Sequence, residues 1–255
     1  MKKIAVVGAG PAGLAAASVA AERGHDVTLF DSASEIGGQF NVAKLIPGKE
    51  EFYETLRFFK RQLELGTVDL KLGQYADLEL LKRGQFEEVV LATGVTPRHL
   101  NIEGYDNPKV LNYLEVLRDK KPVGKRVAVI GAGGIGFDTA EYLTHEGDSG
   151  SLNPEKFYAE WGIDTTYAHV GGLKKPELEK SEREIYLLQR KKASVGAGLG
   201  KTTGWIHRTG LKHRDVKMIA GASYDKVDDQ GLHITVDGNT SILEVDHVVI
   251  CAGQE

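Results

Sequence analysis

The sequence predicts an α/β protein made of two nucleotide-binding units with parallel sheets, and three observations carry that expectation. Residues 4–7, Ile-Ala-Val-Val, form a β-rich run that enters a glycine turn and then an alanine-rich helix. The same order of strand, glycine turn and helix returns at residues 126–143. Glycine fills 31 of 255 positions and gathers in these turns, where the backbone must bend tightly, rather than in linkers. The length also exceeds one ordinary compact domain and suits two cores.

In the first unit the strand at 4–7 passes through the turn at 8–13 to a helix at 14–23, which Gly24 ends; residues 26–30 then alternate as a second strand. Residues 50–65 read as a charged amphipathic helix and 88–92 as a strand. Pro122-Val123-Gly124 punctuates the chain before the second unit, which has a strand at 126–130, a turn at 131–136 and a helix at 137–143. From about 145 to 183 the sequence is polar and glycine-bearing, and an irregular insertion is expected there. Strand-like runs resume at 185–188, around Ile219, at 233–236 and at 245–250. The expected domains are 1–112, 113–250 and the start of a return to the first at 251–255. Because the last buried-looking strand lacks a covering helix, the first domain is expected to be truncated at its C-terminus.

Composition removes several functions. With 36 acidic residues against 32 basic ones, the net charge of −4 offers no global field for nucleic acid or an anionic membrane, so neither is expected as a partner. A hydrophobic share of 41% and a mean hydropathy of −0.25 describe a folded chain. No apolar run approaches the roughly 20 residues of a spanning helix. The single cysteine, Cys251, excludes from these residues a disulfide, a Cys-x-x-Cys pair, a multi-cysteine zinc site and a cysteine-ligated cluster. Redox chemistry must then reside on a bound organic cofactor. No histidines pair at metal-ligand spacing on a convincing helix, and no metal site is expected. The start, Met1-Lys2-Lys3, mimics a signal peptide, but glycines and Pro11 break the apolar run, so a cytoplasmic location is expected.

Two motifs carry chemistry. Gly8-Ala9-Gly10-Pro11-Ala12-Gly13 is a G-x-G-x-x-G between strand and helix. Gly8 permits the turn, Gly10 lets a pyrophosphate approach the backbone, and Gly13 lets helix and strand pack closely. Asp31 lies 18 residues beyond Gly13, where a carboxylate accepts hydrogen bonds from an adenosine ribose. Gly131-Ala132-Gly133-Gly134-Ile135-Gly136 repeats the motif, but the next credible strand ends in Gln189-Arg190-Lys191-Lys192 and no acid. A carboxylate there would repel a 2′-phosphate, whereas Arg190 and Lys191 can pair with it, so this turn reads as an NADP(H) site. The alternative, a solvated basic loop, stays open at this point. Gly200-Lys201-Thr202 is no Walker loop, because Val195 stands where its first glycine belongs.

The run from Asp31 through Ser32-Ala33-Ser34-Glu35-Ile36 to Gly37-Gly38-Gln39 resembles the flavoproteins with two dinucleotide-binding domains, in which this turn packs along FAD. Leu91-Ala92-Thr93-Gly94 is similar to the turn by which such chains leave the FAD domain, and Val249-Ile250-Cys251-Ala252-Gly253 to the return turn. Ile46-Pro47-Gly48-Lys49-Glu50-Glu51-Phe52, Glu160-Trp161-Gly162-Ile163-Asp164 and Gly198-Leu199-Gly200-Lys201-Thr202-Thr203-Gly204-Trp205 extend the likeness. Together they resemble the C-terminal portion of bacterial NADPH-dependent 2,4-dienoyl-CoA reductases, which are related to old yellow enzyme.

That resemblance implies two Rossmann-like dinucleotide-binding domains, the NADP domain inserted in the FAD domain. It implies FAD on Gly8, Gly10, Ala12, Gly13, Asp31, Gly38, Gln39, Thr93 and Gly94, and NADP(H) on Gly131, Gly133, Gly136, Arg190 and Lys191. In such enzymes an N-terminal barrel with FMN and a 4Fe-4S cluster precedes this region, and a further segment follows it. The barrel would be the electron acceptor, and the chain an electron-input module passing hydride from NADPH to FAD for unsaturated fatty acid β-oxidation. Because hydride passes directly between cofactors, no side chain is assigned as catalytic. A reductase subunit for another acceptor and a nonredox ADP-binding module are the alternatives.

Overall fold

The computed structural model describes all 255 residues, and contacts divide them into two compact units. The first comprises Met1–Leu45 and Lys49–Val95. Its elements are β1 (Lys3–Val7), α1 (Pro11–Glu22), β2 (Asp26–Phe30), α2 (Phe40–Ala43), α3 (Phe52–Leu65), β3 (Asp69–Lys71), α4 (Leu78–Arg83) and β4 (Glu88–Leu91). The strands lie in the order β3-β2-β1-β4, all parallel. Ala5, Val6, Val27 and Leu29 are fully buried, the continuous apolar pattern that a sheet covered on both faces requires. Pro11 opens α1 at its first position, where its missing amide hydrogen costs nothing, and Leu14 and Ala17 bury that helix against the sheet. The strand expected at 88–92 forms as β4, yet it is an open edge: Val89, Val90 and Leu91 are all exposed.

The second unit comprises Ile46–Gly48 and Thr96–Glu255. It contains β5 (Val110–Asn112), α5 (Tyr113–Leu117), β6 (Arg126–Ile130), α6 (Gly134–Thr144), α7 (Pro154–Trp161), β7 (Glu184–Leu188), α8 (Gly204–His213), β8 (Lys217–Ile219), β9 (Ala222–Asp228), β10 (Gly231–Val236), β11 (Asn239–Leu243) and β12 (His247–Ile250). A parallel sheet runs β5-β12-β6-β7-β8, and an antiparallel meander runs β11-β10-β9. Ile130, Leu188, Leu232, Ile234, Val248 and Ile250 bury a common core. The Asp237-Gly238 pair joining β10 to β11 has positive φ at both residues, as a two-residue hairpin demands.

Two features depart from the sequence expectations. Residues 96–112, expected with the first domain, fall in the second unit, where β5 pairs with β12. The stretch expected to be irregular holds a helix, α7. Asn153 caps it by accepting the Lys156 amide, Pro154 occupies its first turn, and Gly162 ends it at φ +64°. The last residues run antiparallel to 96–98: Thr96 N donates to Glu255 O at 2.8 Å and Glu255 N to Thr96 O at 2.9 Å.

Candidate dinucleotide sites

The first glycine turn joins the end of β1 to the start of α1. Gly8 sits at φ +107°, and a Cβ there would strike the Ala92 carbonyl oxygen; one on Gly13 would strike the Gly8 carbonyl oxygen. Hydrogen is the only side chain that fits either position. Gly10 and Gly38 face each other with bare backbone, such that a Cβ on Gly38 would lie 3.0 Å from the Gly10 Cα. Gly37 N donates to Ala9 O at 2.8 Å and holds this second loop against the turn. Ala12 is exposed in the first turn of α1.

Asp31 follows β2 and engages both carboxylate oxygens with backbone: Ala9 N donates to Oδ2 at 2.6 Å and Ala33 N to Oδ1 at 2.8 Å. A carboxylate has about four acceptor sites, so capacity for ribose hydroxyls remains. After β4 the chain turns at Thr93 and Gly94, both exposed, and Gln39 Nε2 donates to Val95 O at 3.4 Å. All nine expected first-site residues thus stand on one rim of the first unit, at the C-terminal ends of β1, β2 and β4. In open parallel sheets ligands bind at that end.

The second turn repeats this construction. Gly131 has the same φ, +107°, and a Cβ on Gly136 would strike the Gly131 carbonyl oxygen as in the first turn. Gly8 N donates to Phe30 O at 2.8 Å; Gly131 N donates to Leu188 O at 2.9 Å. Cys251 N donates to Ile130 O at 2.8 Å as Ala92 N does to Val7 O, which makes Cys251 the counterpart of Ala92. Its thiol is buried 3.4 Å from the Thr139 hydroxyl and is pushed up to about 12 by burial, so it forms no thiolate near neutrality. Around Gly133 and Gly134 no atom lies within 4 Å of a Cβ position, leaving open space where a phosphate group approaches a helix start.

Arg190 and Lys191 are exposed just beyond β7, while Lys192 is drawn to Asp237 at 2.9 Å. A further loop comes to the same helix: Gly196 packs against the Phe137 ring in the first turn of α6, and Arg208 Nη1 donates to Gly196 O at 3.0 Å. Lys201 is exposed on that loop. The bond of Arg208 to a carbonyl 12 residues away has no local signature in the sequence.

Another group escaped sequence reading. Arg214 at the end of α8 is 7% exposed and donates from Nη2 to Glu160 Oε1 at 3.0 Å, with Glu141 at 3.6 Å and His145 Nδ1 3.0 Å from Nη1. Burial raises the Glu141 carboxyl, with Arg214 opposing; burial and then the Arg214 and Lys156 cations depress His145. These groups fasten α7 to α6 and α8, helped by an edge-on contact of Trp161 with Trp205 at 6.5 Å. No group of three or more His, Cys, Asp or Glu side chains is placed to hold a metal ion, and no helix is long and apolar enough to cross a membrane.

Both turns therefore fit a dinucleotide: each has a backbone bend open only to glycine at the start of a helix, and at the second that start is open. Comparison with known proteins agrees. The chain is 38% identical to bilirubin reductase of Mediterraneibacter gnavus over 146 residues, covering 57% of this chain and 23% of that protein. It is 29% identical to cinnamate reductase of Clostridium sporogenes over 253 residues, covering 99% of this chain and 33% of the relative. A structure of 2-naphthoyl-CoA reductase with 2-naphthoyl-CoA superposes with a TM-score of 0.81 at 28% identity, covering all of this chain and 33% of the other. The chain thus spans a third or less of the length of these proteins. With residues 2–255 matching the family model described as pyridine nucleotide-disulphide oxidoreductase, the chain belongs to that family of FAD- and NAD(P)-binding oxidoreductases.

Proposed function

We propose that this chain is the electron-input module of an NADPH-dependent 2,4-dienoyl-CoA reductase, with FAD on the first glycine turn and NADP(H) on the second. One contrast carries the reading: the two turns share their backbone geometry, but Asp31 follows the strand beside the first and Gln189-Arg190-Lys191 the strand beside the second. A carboxylate suits free ribose hydroxyls, and adjacent cations suit a 2′-phosphate. Similarity to a reductase whose structure holds an aryl-CoA thioester supports an acyl-CoA acceptor, and the share of relatives' length covered leaves room for a barrel carrying FMN and a 4Fe-4S cluster.

Bound FAD and NADP(H) together supply hydride transfer. The residues of this chain contribute binding and orientation. Asp31 orients an adenosine, Gly10 lets a pyrophosphate approach bare backbone at the start of α1, and Arg190 with Lys191 selects the phosphorylated nucleotide. The buried Cys251 thiol takes no part, and the disulphide chemistry in the family's name needs a second thiol, which these 255 residues lack.

The test is chemical identification of the heat-released ligand from purified protein, followed by NADPH-dependent reduction of an artificial dye. FAD with NADPH-driven dye reduction is expected, and turnover of a dienoyl-CoA only when the flavin and cluster barrel is supplied. Similarity to cinnamate reductase favours one second reading, an acceptor other than a dienoyl thioester, which a panel of enoates and enoyl thioesters separates. Bound ADP in a colourless protein would replace both with a nonredox module.

A further inference from the structure

Gln189 occupies in the second unit the place that Asp31 holds in the first. Each is the first residue after its strand; Asp31 N donates to Lys71 O at 3.0 Å at the end of β3, and Gln189 N to Ile219 O at 2.9 Å at the end of β8. The side chains then act in opposite senses. Asp31 accepts hydrogen bonds from Ala9 N and Ala33 N. Gln189 turns its amide into its own loop, where Nε2 is 3.0 Å from Lys191 O and 2.6 Å from Ala193 O. Both partners are carbonyl oxygens, so the group facing them is the NH2, and each of its hydrogens has a partner.

Those two bonds close residues 189–193 into a compact loop. The next turn braces it, since Gly221 N donates to Lys191 O at 3.0 Å and Ala222 N to Gln189 O at 3.1 Å. Of the three cations on this loop, Lys192 is held by Asp237. Arg190 and Lys191 make no ion pair and are left facing solvent side by side. A carboxylate at position 189 has no hydrogen to donate, and its charge would be repelled by the two carbonyl dipoles. The loop would open and the acid would remain beside the ribose.

We infer that Gln189 is a positioning residue for nucleotide selection: without touching the nucleotide, it shapes the backbone from which Arg190 and Lys191 meet the 2′-phosphate. This rests on the NADP(H) reading of the second turn. The selectivity of the site then depends on a neutral donor as much as on the cations.

The experiment measures NADPH and NADH dissociation constants by calorimetry, with the melting temperature and amide exchange of residues 190–193, for the full chain, Gln189→Met and Gln189→Glu. Methionine matches the length of glutamine but donates nothing and carries no charge. Losing two modest hydrogen bonds is expected to weaken NADPH roughly tenfold in Gln189→Met, to leave NADH within about twofold, and to speed exchange across the loop. Gln189→Glu is expected to lose NADPH further. An unchanged NADPH constant in Gln189→Met, or an equal loss for both nucleotides, overturns the inference while leaving the NADP(H) reading intact. A native protein that does not prefer NADPH removes both.

Discussion

The Asp31 carboxylate receives the Ala9 amide hydrogen at 2.6 Å, so the acid that closes β2 also holds the glycine turn that follows β1. One side chain sets the shape of the cradle and remains able to bind a ribose. Asp31→Ala should therefore weaken FAD by about 1.5–3 kcal/mol, the usual worth of a hydrogen bond to a charged group. Asp31→Asn should recover part of that loss, since its carbonyl oxygen can still accept from Ala9. A flavin titration in which Asp31→Ala binds as tightly as the native chain would remove Asp31 from the site.

The cations after β7 give the second prediction. Replacing Arg190 and Lys191 together with glutamine should abolish most of the preference for NADPH and leave NADH binding nearly unchanged, because the nucleotides differ only in the 2′-phosphate. Steady-state or calorimetric comparison of the two nucleotides reads this directly. Should the preference survive, Lys201 on the loop tied down by Arg208 is the next cation to replace.

Glycines of the second turn should separate into structural and ligand-facing ones. In Gly136→Ala the new Cβ meets the Gly131 carbonyl oxygen, backbone that cannot move aside, and a loss of at least about 1–3 kcal/mol of stability is expected. Gly133→Ala has open space around its Cβ and an ordinary extended φ of −85°, so its stability should stay within about 0.5 kcal/mol of native. Its affinity for NADPH should nevertheless fall, because the methyl group fills the approach to the backbone. Melting curves and nucleotide titrations on both variants check the division.

His145 predicts a pH dependence with a definite sign. Burial, Arg214 and Lys156 depress its folded pKa below 6.5, while Asp148 and Glu179 oppose them. The unfolded chain then binds more protons as pH falls through 6.5, so the contribution of His145 is complete above that value and is lost below it. His247, depressed by its burial, acts in the same sense. Glu141, whose carboxyl burial raises above the ordinary 4.5 of a glutamate, has the reverse slope and acts at lower pH. Chemical denaturation of His145→Gln should show a shallower loss of stability between neutral pH and the Glu141 range than the native chain shows. Equal slopes would mean that His145 titrates as it does in the unfolded chain.

Much of the parallel framework was legible because its strands are continuous apolar runs beside glycine turns. Residues 26–30, 126–130 and 185–188 are strands in the structure, within a residue of their sequence-read limits. β11 escaped because Asn-Thr-Ser-Ile-Leu is mostly polar and exposed, and β9 because its Ala-Ser-Tyr-Asp-Lys-Val-Asp is broken by three charges. The Asp237-Gly238 turn was the readable sign of that hairpin. α7 carries readable caps, Asn153 and Gly162, on too short a period to stand out from its polar surroundings. Arg214, His145 and Glu160 lie up to 69 positions apart, and folding alone brings such charges together.

The open edge at β4 has a consequence for handling the protein. Its backbone presents unpaired amide and carbonyl groups along one side, and Val89, Val90 and Leu91 are exposed. The single charge on the strand, Glu88, is engaged by Lys2 at 2.6 Å. No proline or lysine within the strand deters another strand from adding there. Such an edge is a template to which the same edge of a neighbouring molecule can add. Self-association should therefore rise steeply with concentration, and Val90→Lys should suppress it without disturbing either glycine turn.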